Sequence, residues 1–172
     1  MNCPKCKNTE LKKHRFNSPC SCEACGGMWL QDADRINFPV ESIEPSDTGS
    51  DLPDYDKRTG LCPSGHGIMI RARVDIDEPF YLEKCATCGG IWFDNGEWIR
   101  LAGNNLVDVL GSIWSKSWQR KQSREKSRDN FIEMNRRLLG DLLFDEIMDL
   151  SKKLKDHPEK DRAIALFQQE IQ

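Results

Sequence analysis

Between Ile68 and Asp77 the chain alternates over ten residues, with Ile68, Ile70, Ala72, Val74 and Ile76 on one parity and Met69, Arg71, Arg73, Asp75 and Asp77 on the other. Strict period two predicts a half-buried strand whose apolar parity faces a core. Glu78-Pro79 supplies a turn, and Phe80-Tyr81-Leu82 begins a returning strand. Further along the period changes. Ile132, Leu139, Leu143, Ile147, Leu150 and Leu154 recur from Asn130 onward, flanked by Phe131, Leu138, Leu142 and Met148. Spacings of three and four predict a helix with a wide apolar face. Asp156-His157-Pro158-Glu159 stops it and opens a last short helix with Ile164, Phe167 and Ile171 on one side. The resulting helical hairpin needs a surface to cover it, either a zinc ribbon of the kind the chain's cysteine motifs predict or a second copy of itself.

A second regularity is a duplication. Cys85-Ala86-Thr87-Cys88-Gly89-Gly90-Ile91-Trp92-Phe93 matches Cys22-Glu23-Ala24-Cys25-Gly26-Gly27-Met28-Trp29-Leu30 almost position for position. Upstream of each lies a partner motif, Cys3-Pro4-Lys5-Cys6 before the first and Cys62-Pro63-Ser64-Gly65-His66 before the second. Two cysteines separated by two residues present two thiolates to one ion, and two such pairs returned to each other by a hairpin are the plan of a zinc ribbon. The expected ligands are Cys3, Cys6, Cys22 and Cys25 for one zinc ion, and Cys62, His66, Cys85 and Cys88 for another. The extra residue before His66 accommodates the longer imidazole. Zinc is preferred to iron because three cysteines and a histidine form a routine zinc site. Four protein ligands leave no place for water or substrate, so both ions are expected to be structural. The glycine after each second cysteine is expected to turn with positive φ and aim its amide at sulfur. Trp29 and Trp92 are expected to cover the metal knuckles.

These motifs divide the chain into a first ribbon at 1–37, an acidic linker at 38–59, a second ribbon at 60–103 and a helical module at 104–172. The linker reading rests on Glu41, Glu44, Asp47, Asp51, Asp54 and Asp56 together with Pro39, Pro45 and Pro53, a composition too polar to offset its ordering entropy. Gln31 to Ile36 reads as one helical turn before Pro39. Asp94-Asn95-Gly96-Glu97 has the first and fourth residues of a capping box, which starts a helix at Trp98. The predicted fold class is a small metal-stabilised α+β protein: two tandem zinc β-ribbons followed by an α-helical C-terminal module.

Composition narrows the function. Apolar residues make up 38% of the 172, low for one well-packed core and suited to small units stapled by metal. The formal charge is −3, and two thiolate-bound zinc ions take it to about −6. A strongly basic nucleic-acid binder is thereby excluded. The first motif begins at Cys3 with no apolar leader before it, and paired Cys-X2-Cys motifs read as metal ligands in a reducing compartment, so a cytoplasmic location is expected. No apolar run is long enough to span a bilayer.

Other residues invite a chemical reading. Cys20 is the odd cysteine, either a buried spare thiol or the sensor of a redox- or zinc-responsive switch. His14 and His157 read as surface residues, and Asp34 and Glu97 as helix-start residues. Lys116, Arg120, Lys121, Arg124, Lys126 and Arg128 form the one basic cluster, with Trp114 and Trp118 at its edge on a shared helical face. They could contact nucleic acid by gripping phosphates and stacking on bases, or be a solvated helix whose tryptophans pack inward.

At Cys88 to Trp98 and Cys25 to Arg35, each with its upstream Cys-Pro knuckle, the sequence resembles the bacterial zinc-finger family named for the transcription factor IIB ribbon. The pattern is Cys-Pro-X-Cys, a hairpin, then Cys-X2-Cys-Gly-Gly-X-Trp-Leu-Asp-X-Gly-Glu. The second unit follows it nearly throughout, with His66 in place of a cysteine. The first has Gln31, Ala33 and Asp34 where the pattern has Asp, Gly and Glu. The resemblance covers 1–37 and 60–103 and implies zinc ribbons with an association to transcription. The expected function is a non-enzymatic, zinc-binding interaction module with a protein partner. Nucleic-acid binding through 115–128 is the alternative, and the C-terminal helices could make a homo-oligomer.

Overall fold

The computed structural model describes residues 1–13, 18–31 and 55–171. It is a small α+β protein that divides into two compact units, Met1–Ser123 and Arg124–Gln172. The helical turn expected at Gln31–Ile36, most of the 38–59 linker and His14 lie outside the described residues.

In the first unit the two repeats share one antiparallel sheet. The first repeat supplies β1 (Lys12–Lys13), β2 (Cys20–Ser21) and β3 (Met28–Leu30), and the second supplies β4 (Ile70–Val74), β5 (Phe80–Lys84) and β6 (Ile91–Phe93). The strand order is β1-β2-β3-β6-β5-β4. Each repeat is thus a three-stranded meander, and the meanders meet along β3 and β6 with Met28 opposite Phe93, Trp29 opposite Trp92 and Leu30 opposite Ile91. This pairing is two-fold symmetric, because Trp29 and Trp92 occupy the same position of the duplicated motif.

Alternation along the strands builds a different core on each face. One face gathers Leu30, Ala72, Val74, Phe80, Leu82, Ile91 and Phe93 under α1 (Glu97–Gly103), which contributes Trp98 and Leu101. Phe93 and Trp98 meet edge to face with ring centroids 5.3 Å apart. The other face carries Trp29, Trp92, Met69 and the cysteines. Central strand β6 is buried at all three residues because it has cover on both sides.

Four sequence expectations need correction. Ala72 and Val74 are buried as the alternation requires, but Ile68 and Ile70 on the same parity are 71% and 46% exposed, beyond the helical cover. Met69, on the polar parity, is instead buried among the cysteines. Residues 104–123 group with the two repeats rather than with the later helices, since Leu110 and Ile113 are buried in the α1 core and Trp114 and Trp118 lean against it. The N-cap of α1 is Gly96 rather than Asp94, and the helix starts at Glu97; Glu97 Oε2 accepts from the Asp94 amide at 2.8 Å, and the Asp94 carboxylate takes the Trp92 indole N–H at 2.8 Å.

The fourth concerns the C-terminal helices, which are three rather than a hairpin: α2 (Lys116–Leu139), α3 (Asp141–Lys155) and α4 (Lys160–Glu170). Gly140, at φ 79°, breaks the helix expected to run through Leu154. Arg136 at the end of α2 bonds Asp141 at 3.1 Å and Asp145 at 2.9 Å, and its guanidinium lies 4.5 Å from the Phe144 ring centre. Between α3 and α4, His157 Nδ1 accepts from the Glu159 amide at 3.1 Å. No helix among the described residues is long and apolar enough to cross a membrane.

Candidate metal centres

The fold brings the eight predicted ligands into two groups, Cys3, Cys6, Cys22, Cys25 and Cys62, His66, Cys85, Cys88, with all donor atoms of a group within 4.8 Å of one another. In the first, Sγ of Cys3 and Cys25 are 3.6 Å apart and those of Cys6 and Cys22 are 3.9 Å apart. In the second, Cys62 Sγ lies 3.7 Å from Cys88 Sγ and 3.5 Å from His66 Nδ1. Tetrahedral coordination with Zn–S near 2.3 Å and Zn–N near 2.05 Å requires edges of about 3.8 Å and 3.6 Å. The donor sets therefore fit such an ion, and all eight cysteines of the chain, Cys20 included, are free thiols rather than disulfides.

The knuckles are shaped by backbone bonds that recur in each. Cys3, Cys22, Cys62 and Cys85 donate their amides to the carbonyls of Thr9, Gly27, Gly67 and Gly90 at 2.7–2.8 Å. Gly26 and Gly89 have φ of 68° and 71°, as the sequence predicts for the residue after the second cysteine. Their amides, however, bond the carbonyls of Cys22 and Cys85 at 2.8 and 3.0 Å, not sulfur. The amides at sulfur include those of Cys6, on Cys3 Sγ at 3.3 Å, and Cys88, on Cys85 Sγ at 3.5 Å, those of Lys5 and Thr87 on the same two sulfurs, and those of the second glycines, Gly27 and Gly90, on Cys25 and Cys88.

Among the clustered thiols Cys3 and Cys85 are shifted down and Cys6, Cys25 and Cys88 up. The hydrogen bond with Cys25 holds the Cys3 pKa down to about 5. Cys25 is pushed up by that same bond and then by burial, and Cys6 is pushed up chiefly by burial. In the second group Cys88 is pushed up to about 11, chiefly by burial. Cys85 lies at about 6 because amide bonds from Cys88 and Thr87 outweigh its burial. A dication that replaces the retained protons relieves this competition among like charges. The groups differ in access: in the first only Cys6 is partly exposed, whereas in the second His66 is exposed and Cys88 partly so.

Trp29 and Trp92 sit with the cysteines, as expected, but their placement is reciprocal between the repeats. A Cβ at Gly27 would run into ring carbons Cζ2 and Cη2 of Trp92, and one at Gly90 into those of Trp29. The second glycine of each motif is thus the floor for the other repeat's indole.

Sequence reasoning missed the polar network joining the first knuckle to the second repeat. The Lys5 side chain is 2% exposed, and its Nζ reaches Glu83 Oε1 at 2.9 Å and Asp94 Oδ2 at 3.4 Å. Nζ also donates to the carbonyls of Tyr55 at 3.1 Å and Arg58 at 2.6 Å, which ties the end of the linker down. Glu83 Oε2 accepts from the Gly60 amide at 3.1 Å. Burial raises the Glu83 carboxyl above its usual range, against the pull of Lys5 and of that amide. The two-fold counterparts of Lys5, Glu83 and Asp94 in the duplication are Ser64, Cys20 and Gln31. Ser64 Oγ and Gln31 Nε2 both point to Met1 Sδ, at 3.7 and 3.8 Å. Cys20, 3% exposed, is therefore the residue that stands where the second repeat has its buried carboxylate, and it belongs to neither donor group. A lysine inside a knuckle and a glutamate beside Leu82 and Cys85 were the available signals.

The basic residues predicted as nucleic-acid contacts, Lys116, Arg120, Lys121, Arg124, Lys126 and Arg128, are all exposed along α2. Trp114 and Trp118 are partly buried against the α1 core, and Lys84 Nζ lies 5.4 Å from the Trp114 ring centre.

Fold and donor sets together define a small α+β protein with two cysteine-rich groups that could each hold a metal ion, which suggests a zinc-binding module. No family model, curated protein or solved structure matches the chain.

Proposed function

We propose that this protein is a non-enzymatic interaction module built on two structural zinc ribbons of the transcription factor IIB type, acting in a reducing compartment and binding a protein partner. The observation that carries the reading is the pair of complete four-donor sets, each within 4.8 Å, with four donor–donor edges of 3.5–3.9 Å that match tetrahedral zinc. With four protein donors in each, zinc has no open position for catalysis. Its contribution is to fold knuckles that the modest apolar core cannot hold alone. A protein partner is favoured over nucleic acid by the net charge of −3 and by the packing of Trp114 and Trp118, which leaves their rings poorly placed to stack on bases. The test has two parts. Metal analysis of the purified chain should give two zinc per chain. Cobalt substitution should give two tetrahedral spectra, one typical of four sulfur donors and one of three sulfurs and a nitrogen. Iron in place of zinc, or fewer than two equivalents, overturns the zinc reading.

The exposure of all six basic side chains on α2 supports a second reading, contact with nucleic-acid phosphates. Titration against labelled single- and double-stranded nucleic acid over a salt series decides between the two. A steep salt slope that flattens when Arg120, Lys121, Arg124 and Lys126 become Gln puts nucleic acid first. No binding at low salt leaves the protein-partner reading.

A further inference from the structure

The unit Arg124–Gln172 has little core of its own. Phe144 is its only buried large apolar side chain among the described residues, while eleven others between Phe131 and Ile171 are 41–86% exposed. At roughly 100 Å² each they leave on the order of 1,000 Å² of apolar surface in water in total, comparable to one side of a standard interface. With one buried large apolar side chain among the described residues, this unit buries little surface to offset its ordering entropy, so a covering surface is favoured.

Resting on the reading of the chain as a protein-binding module, we propose that the partner is a second copy of this chain, with α3 pairing antiparallel to α3 across a two-fold axis. Leu143, Ile147, Leu150 and Leu154 lie four, three and four residues apart, which is the seam of a two-stranded coiled coil. Leu143 and Ile147 are 48% and 41% exposed, and Leu150 and Leu154 are partly so. Antiparallel pairing sets Leu143 against Leu154 of the partner subunit and Ile147 against Leu150 of the partner subunit, closing the seam on itself.

Charge fixes the direction. Glu146 and Lys153 each precede a seam residue and so flank the seam, and neither takes part in an ion pair with the described residues. In a parallel pair each of these positions would face the residue five further along the partner, Ser151 of the partner subunit for Glu146 and Pro158 of the partner subunit for Lys153, and no opposite-charge pair forms across the seam. Antiparallel, Glu146 meets Lys153 of the partner subunit, twice by symmetry.

The test uses the full zinc-loaded chain with light scattering after size exclusion at micromolar concentration. The expected mass is twice 19.8 kDa, and Ile147→Asp should return the single-chain mass with both zinc ions retained. Glu146→Lys or Lys153→Glu alone should weaken association about tenfold. Both changes in one chain, or a mixture of the two single variants, should restore it. A monomeric wild type, or an Ile147→Asp variant that stays dimeric, overturns the proposal, and so does a double charge variant no tighter than the singles. Zinc content measured on the same fractions separates the readings: a monomer with two zinc sinks only the dimer, whereas missing zinc sinks the module beneath it.

Discussion

Trp29 and Trp92 face each other as partners across the β3–β6 ladder, and each indole lies over the glycine that precedes the other's strand, Gly90 under Trp29 and Gly27 under Trp92. The duplicated motif Cys-Gly-Gly-X-Trp therefore has two jobs for its two glycines. The first turns the knuckle at positive φ, and the second makes room for the other repeat.

Gly27→Ala and Gly90→Ala should each destabilise the zinc-loaded protein by about 1–3 kcal/mol, because the added methyl meets a fully buried ring. Pairing Gly90→Ala with Trp29→Leu should recover part of the loss, whereas pairing it with Trp92→Leu should not. Guanidinium unfolding followed by circular dichroism measures this. Neutral single variants would mean that the ring is free to move aside.

Lys5 and Glu83, buried to 2% exposure each, should behave as one unit. Lys5→Met strands a buried carboxylate beside Asp94 and should cost about 3 kcal/mol, while Lys5→Met with Glu83→Leu should cost much less. The coupling from a double-mutant cycle is the readout, and additive losses would rule the unit out.

Zinc binding should release protons at pH 7, and affinity should rise with pH. Cys6, Cys25 and Cys88 have raised pKa values and hold protons in the metal-free fold, so each gives one up, whereas Cys3 at about 5 and Cys85 at about 6 are already thiolates. Zinc titration in weak buffer with a pH indicator measures the release. Affinity that stays flat from about pH 6 to 8 would contradict the assignment.

The two ions should leave in order. A chelator should strip the Cys62, His66, Cys85, Cys88 group first, because His66 is exposed there while three of the four cysteines of the other group are buried. His66→Ala should lower the content to one tightly held zinc per chain, as read by a colorimetric zinc assay. Loss of both ions at one rate would show that the groups open together.

The sequence by itself determined the donor sets and the local turns. Cys-X2-Cys spacing and glycine at positive φ are constraints between near neighbours, and every proposed ligand joins the group its spacing assigned. It also determined that 80–84 returns along 70–74, since period two and a Glu78-Pro79 turn act over a few residues. Only the tertiary structure decided that the two repeats merge through β3 and β6. The same Cys-Gly-Gly-X-Trp strings would serve separate ribbons equally well, and nothing local marks Gly90 as the floor for Trp29. The Lys5–Glu83–Asp94 network was hidden for the same reason: a charged residue reads as surface until a distant partner makes burying it favourable. The exposed Ile70 shows the converse, because periodicity gives a residue's face but not how far the cover over that face extends.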